Sequence, residues 1–430
     1  MICNCHFNNP SKSIQLQLFQ SFSESSASSQ EGKRRVLSLF SCGGGLDLGF
    51  EGGFRVHKEC VDKCLHPDWI VSDDGDWIEL AENPFVTVFA NDIDKDAAKV
   101  WTRNFGKKRE VGGIYHTDSV VDLVKRSRIG ESVFPNGIDV VLGGFPCNDF
   151  SVAGKRNGFE SHRMHDGSLR IDEASEESRG KLYMWMKSVV EIVRPKAFYA
   201  ENVKGLVSLG DAKRIIEEDF RHVGDGYLVV PARVLKAVEY GVPQTRERVI
   251  FIGFRKDAMN EDAMEAMSGD DIPEEYNPYP SPTHGDGRIP FVDCNAAFRG
   301  LSEPESSADP SQRAYSHCKY MGSHCQGQTE VAMDRPGYTI RAEHHGNIEY
   351  RRLSEEHGGR HSDELSVGLP ERRLTVRECA RIQTFPDDYE LVGNGISESS
   401  AYRIVGNAVP PLLGYHLARR LMEIWNKLFK

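Results

Sequence analysis

Short runs of apolar, β-branched and aromatic residues recur along the chain at "RRVLSLF" (34–40), "FVTVFAND" (85–92), "IDVVLGG" (138–144), "AFYAENV" (197–203), "YLVVPARVL" (227–235) and "RVIFIGF" (248–254). Their length and composition predict strands. Between them, "DKDAAKVWTRNF" (94–105) and "KLYMWMKSVVEIVR" (181–194) carry apolar positions at helical spacing. Alternation of this kind predicts an α/β fold: a mostly parallel sheet with helices on both faces.

The rhythm stops near residue 256. From there to about 370 the chain is rich in Pro, Gly, Asp, Ser and His and shows no period. That is too long for a loop in a compact domain, so a second, irregular domain is expected. Regularity returns at "LTVRECARIQTF" (374–385), where Thr375 and Glu378 form a capping box ahead of a helix and Pro386 follows its end. A last amphipathic helix is expected over 411–428. The expected organisation is a disordered or weakly ordered segment (1–32), a catalytic and cofactor-binding domain (33–255), the irregular domain (256–370), and a C-terminal segment (371–430) returning to the catalytic domain. The stretch 55–84, between the first helix and the second strand, carries no predicted function.

Composition narrows the class. With 39% hydrophobic and 27% charged residues, the 430-residue chain reads as globular, and no apolar stretch approaches a membrane span. Its first residues lack the features of a secretory signal. Ten irregularly spaced cysteines do not form a disulfide framework, so a reducing cytosol is expected. The net charge of −11 argues against a nucleic-acid binder, but the acid is clustered at 72–82, 172–178 and 270–275. Basic patches at 341–353 and 370–381 allow a basic face beside an acidic total.

Candidate chemistry gathers at predicted strand ends. "LFSCGGGLDLGF" (39–50) joins the first strand to the first helix, and its glycines permit close approach to a ligand or simply a tight turn. It lacks the lysine and hydroxyl of a P-loop and the usual dinucleotide spacing, which disfavours nucleoside triphosphates and nicotinamide cofactors. Asp92 ends the second strand, where an acid accepts bonds from ribose hydroxyls. Cys147 follows "IDVVLGGFP" at the carboxyl end of another strand, a place for a reactive thiol, although a lone cysteine is often only a small core residue. Glu201 ends the next strand, Lys155 and Arg156 lie in a glycine-bearing loop, and Arg246 and Arg248 precede the strand at 248–254. Their i, i+2 spacing is expected to send both guanidinium groups to one face.

Together these segments resemble the DNA (cytosine-5)-methyltransferase family. "LFSCGGGLDLGF" is similar to its cofactor loop, "GGFPCNDFS" to its Pro-Cys nucleophile motif, "ENVKGL" to its Glu-Asn-Val motif and "QTRERV" to its Gln-x-Arg-x-Arg motif. "RRLTVRECARIQTFPDDY" (372–389) and "GNAVPP" (406–411) resemble its two C-terminal motifs. The resemblance implies a Rossmann-like S-adenosylmethionine-dependent fold and methyl transfer to C5 of a flipped-out cytosine. Cys147 would be the nucleophile, Glu201 would hold or protonate N3, and Arg248, helped by Arg246, would fix the base and its phosphate. Phe40, Ser41, Cys42, Gly43, Gly45, Leu46, Asp92, Ile93, Asp118, Phe145, Asn407 and Val409 would bind S-adenosyl-L-methionine, with Asp92 on the ribose, Ile93 on the adenine and Asp118 on its amino group.

The 256–370 region would recognise duplex DNA. Arg341, His344, His345, Arg351, Arg352 and Arg360 would contact it there, with Ser151, Lys155 and Arg156 in the catalytic loop. No metal is expected, because the His-Cys pairs of "SHCKYMGSHCQG" (316–327) do not have zinc spacing. The chain departs from the family at Asn148, where Gln is common, and in the acidic insert 172–178. A tRNA methyltransferase is disfavoured because the Cys-Phe-Thr signature is absent from 256–370, and the intact Cys147, Glu201 and Arg248 disfavour a non-catalytic DNA-binding homologue. The arrangement looks most like a monomeric bacterial restriction–modification methyltransferase in the cytosol, with a cognate endonuclease as a further partner.

Overall fold

The computed structural model describes residues 32–146, 182–269, 271–342 and 347–430. Its core is a seven-stranded sheet ordered β6-β5-β1-β7-β8-β10-β9. The strands are β1 (Arg34–Leu39), β5 (Phe85–Asn91), β6 (Tyr115–His116), β7 (Val140–Gly144), β8 (Ala197–Val203), β9 (Tyr227–Lys236) and β10 (Glu247–Arg255). Neighbours from β6 to β8 pair in parallel, whereas β10 runs antiparallel to both β8 and β9. The alternation rule misses this reversal because a single 3₁₀ turn (Ala237–Tyr240), and no crossover helix, joins β9 to β10.

Both faces of the sheet are covered, which explains the near-continuous apolar strands. In β1, Val36 belongs to one hydrophobic cluster and Leu37 and Leu39 to the other. Helices α1 (Gly45–Glu51), α2 (Lys95–Phe105), α3 (Val120–Arg128) and α4 (Leu182–Val193) accompany the parallel half, and α5 (Ala212–Arg221) packs against β9. Asp94 caps α2 by accepting from the Asp96 and Ala97 amides, so the helix starts where the apolar periodicity does.

From 256 to 370 the described residues form short helices, α6 (Glu261–Met267), α7 (Cys294–Phe298), α8 (Pro310–Arg313) and α9 (Ser362–Ser366), with one three-residue strand, β11 (Tyr350–Arg352). β11 pairs with β12 (Arg372–Arg373), which leads into α10 (Val376–Ile382). The Thr375–Glu378 capping box is formed. α10 ends earlier than the apolar pattern, because Thr384 turns to a φ of 66°. After α11 (Glu398–Asn407), the long α12 (Pro411–Leu428) packs along α1, and a side chain at Gly49 would collide with Pro411 O and Gly414. The 55–84 stretch is an antiparallel sheet of β2 (Arg55–His57), β4 (Trp77–Leu80) and β3 (Ile70–Asp73). Trp69, ahead of β3, packs edge-on against Tyr415 and His416 of α12.

Candidate active site

In an open α/β sheet the ligand crevice lies beyond the carboxyl ends of the strands, where the strand order reverses. Here that point is β1, flanked by β5 and β7. The loop after β1 is tightly determined. Phe40 and Cys42 adopt φ of 53° and 49°, uncommon for residues with side chains, and Gly44 stands at 82°. Ser41 N donates to Asn91 O and Asn91 N to Ser41 Oγ, which staples the loop to the end of β5. Cys42 N donates to Asp92 Oδ2 at 3.1 Å, and Tyr115 Oη donates to Cys42 O at 2.9 Å. Side chains at Gly43 and Gly45 would collide with Ile404 and with Val409 O, so the glycines admit the C-terminal motif.

The acid expected after β5 is in place. Burial pushes the Asp92 carboxyl up to about 6. Ile93 is 45% exposed and joins neither core cluster, an apolar surface offered outward beside that acid. Asn91, which sequence reasoning passed over, donates through Nδ2 to His116 O and Asp118 O and so fixes Asp118 near the same edge. The Asp118 side chain is half exposed, 3.7 Å from Arg126. Asn407 is exposed at the end of α11, Val409 and Phe145 are buried, and Leu46 is partly buried. An acid, an outward apolar side chain and exposed amide and carboxyl groups on one edge fit a nucleoside-bearing cofactor. Among the described residues no group of three metal-ligating side chains comes together.

One strand over, Glu201 sits on β8 opposite Gly144 of β7. Its Oε1 is 2.6 Å from Arg248 Nε, and both side chains are 12% exposed, so the pair is shielded yet open at one side. A Cβ on Gly144 would lie 2.9 Å from Glu201 Oε2, which explains the second glycine of "LGGFPC". Asn202 Nδ2 donates to Phe145 O at 3.0 Å and anchors the backbone just before Pro146. The Asn of "ENV" is thus a tether for the segment leading to Cys147. Cys147 itself, with Ser151, Lys155 and Arg156, lies outside the described residues, as do His344 and His345.

Arg246 departs from the expectation that it shares a face with Arg248. It precedes β10, so strand alternation does not govern it. Its guanidinium is 1% exposed and donates to Ile340 O and Gly406 O. Gln244, also buried, accepts from Ile340 N and donates to Gln383 Oε1. Gln244 and Arg246 therefore clamp the 337–341 segment and the C-terminal motif to the entrance of β10. The motif spacing had signalled these residues, but not that the first two point inward.

Arg352 must be corrected as a DNA contact. It is wholly buried, its guanidinium shared between Glu303 (2.7 Å) and Glu364 (2.9 Å). Arg351 is held by Glu364 and Met333, and Arg341 by Glu349 at 2.7 Å. Arginines in a basic run read as a solvated face, whereas here they neutralise acids that are partly (Glu303, Glu364) or almost wholly (Glu349) buried. Arg360 keeps its side chain clear of those pairs; only its backbone N–H donates to Glu330.

Residues 34–423 match the family described as C-5 cytosine-specific DNA methylase. The chain belongs to that family. It is 30% identical over 426 residues to the type II methyltransferase M.NgoFVII of Neisseria gonorrhoeae, covering 94% of this chain and 90% of the relative. It is 32% identical over 415 residues to M.BspRI of Lysinibacillus sphaericus, covering 91% and 82%. Among solved structures it resembles the S. pombe Dnmt2 methyltransferase, with a TM-score of 0.52, 17% identity, and 90% and 98% of the two chains covered. That likeness bears on the fold. Family and fold together make this a DNA cytosine-5 methyltransferase built on the sheet expected from the sequence, with DNA as its substrate. No described helix is long and apolar enough to cross a membrane.

Proposed function

We propose that this enzyme methylates one cytosine within a specific duplex DNA site through a covalent adduct at Cys147, using S-adenosyl-L-methionine. The observation that carries the reading is the Glu201–Arg248 pair, set across from Gly144 three residues before Cys147 and on the same sheet edge as Asp92 and Ile93. The bound cofactor supplies an electrophilic methyl group. Ser41, Cys42, Asp92, Ile93, Asp118 and Asn407 would hold it, with Asp92 accepting from the ribose and Ile93 against the adenine.

C5 of cytosine is too weak a nucleophile unless C6 carries an added group. The Cys147 thiolate forms the C6–S bond, and the displaced π electrons move onto C5 and the N3 side of the ring. Glu201 holds or supplies the proton at N3 that offsets this charge, and Arg248 fixes the Glu201 carboxyl through Nε. Once C5 carries the methyl, its proton passes to solvent, the C5–H electrons re-form the C5–C6 double bond as the C6–S bond breaks, and the N3 proton returns to Glu201, restoring the ring and the thiolate. Such atoms are unreachable in a stacked duplex, so the base is extruded into the crevice.

The 256–370 segment, clamped by Gln244 and Arg246, is the recognition region, with Arg341 and Arg360 at its edge. Ser151, Lys155, Arg156, His344 and His345 are proposed to meet the DNA backbone. Its type II methyltransferase relatives support a restriction–modification role, and the enzyme is proposed to act as a monomer in the bacterial cytosol, shielding sites from a cognate endonuclease. Bisulfite sequencing of DNA from cells expressing the protein tests this reading. A single methylated motif, lost with Cys147→Ala, is expected; methylation that survives Cys147→Ala, or that falls on tRNA alone, would overturn it.

A further inference from the structure

Asp47, in the first turn of α1, is wholly buried and has no ion-pair partner among the described residues. A buried carboxyl without a cation is costly, so its retention calls for a reason. Its two oxygens are both engaged: Ser38 Oγ donates to Oδ1 at 2.5 Å and Trp101 Nε1 donates to Oδ2 at 2.7 Å. Ser38 ends this chain on one side. The Ser41 hydroxyl lies 2.9 Å from Ser38 Oγ and 3.0 Å from Ser38 O, and Ser41 Oγ accepts from Asn91 N. On the other side, the Trp101 ring closes over Gly44, where a Cβ would fall 2.6 Å from its Cδ1. Asp47 thus joins both walls of the loop between β1 and α1.

We propose that ionised Asp47 is a positioning residue that sets the Ser38–Gly44 loop for cofactor binding, and that its protonation weakens that binding. This rests on the reading of that loop as the cofactor site. A carboxylate can accept from Ser38 and Trp101 together. A carboxylic acid needs an acceptor for its proton, and since the Trp101 Nε1–H only donates, the Ser38 hydroxyl must take it, which reverses that hydroxyl and breaks the order of donors running to Ser41.

Burial pushes Asp47 up to about 7, and the bonds from Ser38 and Trp101 draw it only partly back. The groups facing it are Glu51 of its own helix, which raises it, and Arg109, which lowers it but is itself paired with Glu51. Tyr115 and Tyr389 lie close enough to feel its charge, and burial raises both above their ordinary values. Asp92, at about 6, titrates nearest to it.

The test measures affinity of the full-length protein for S-adenosylhomocysteine by calorimetry between about pH 5.5 and 8.5. Wild type should gain roughly tenfold in affinity across neutrality, about what one pK unit of coupling gives. Asp47→Asn should bind roughly tenfold more weakly at pH 8 and lose the step near 7, keeping only the Asp92 contribution. Ser38→Ala, which leaves the charge in place, should lose severalfold in affinity and keep the step; it decides the matter if Asp47→Asn does not fold. In the ligand-free protein, emission of wild type minus Trp101→Phe should change near pH 7, and the change should vanish in the Asp47→Asn background. Unaltered affinity and pH slope in both variants would overturn the proposal. A wild type that binds at no pH would overturn the cofactor reading as well, whereas the Trp101 titration reads the Asp47 contact independently.

Discussion

At the carboxyl edge of the sheet, burial lifts Asp47 to about 7 and Asp92 to about 6, and no described arginine pairs with either. At Glu303 and Glu378 in the 256–378 region the balance runs the other way, although burial keeps Glu349 raised beside Arg341. Burial pushes Glu303 up too, but hydrogen bonds from Arg352 and Arg372 outweigh it and hold the carboxyl at about 2. Glu378 is likewise drawn down against burial by Arg372. The first region keeps carboxyls poised and under-neutralised beside the reacting edge. The second uses its arginines to build an irregular segment that lacks the apolar periodicity to hold itself together. Perturbed carboxyls thus mark both regions, and what separates Asp47 and Asp92 from Glu303 and Glu378 is whether an arginine pairs with them.

Four experiments would break or sharpen that contrast. Glu201→Gln should reduce kcat by roughly 10²–10⁴-fold with cofactor affinity unchanged, since it removes a proton-handling group and not a binding contact; loss of affinity without loss of turnover would move Glu201 out of the reacting edge. Glu303→Ala leaves Arg352 and Arg372 buried without their shared acid, and should cost about 3–5 kcal/mol in urea unfolding while turnover of the folded fraction is preserved. Gly144→Ala should displace the Glu201 carboxylate, lowering kcat about tenfold with little change in melting temperature.

The smallest effect is in the pH dependence of stability. Glu303, lowered in the fold, contributes stability that is complete above its ordinary carboxyl range and is lost as pH falls towards 2. Asp47, raised in the fold, contributes in the opposite sense: stability is fullest below about 4 and is lost as pH rises through 7. Melting curves of wild type against Glu303→Gln and Asp47→Asn should therefore diverge in opposite directions, by a few degrees. Parallel curves would erase the distinction between the two regions.

Much of this was legible beforehand because local rules agreed with the tertiary result. Periodicity placed β1, β5, β7 and α2 within a residue or two, and the Thr375–Glu378 spacing announced the α10 cap. The strand-end positions of Asp92 and Glu201 followed from the α/β pattern alone. What escaped was set by long-range geometry. The antiparallel turn into β10 has no periodic signature, and nothing in "QTRER" says that Gln244 and Arg246 face inward to Ile340 while Arg248 faces Glu201. Arg352 looked like a surface cation because its acids, Glu303 and Glu364, lie far from it in sequence. The antiparallel sheet of 55–84, packed on α12, likewise depends on a partner hundreds of residues away.

That dependence has a bearing on biosynthesis. α1 begins at residue 45, where the cofactor loop ends, yet the surface that Gly49 presses against, Pro411 and Gly414, is translated some 360 residues later. On the ribosome, the apolar face of α1 and Trp69 must wait uncovered until α12 emerges, a long interval of exposed surface. A nascent chain stalled before residue 411 should therefore engage hydrophobic-binding chaperones and bind no cofactor, so the enzyme becomes competent only once α12 has been made.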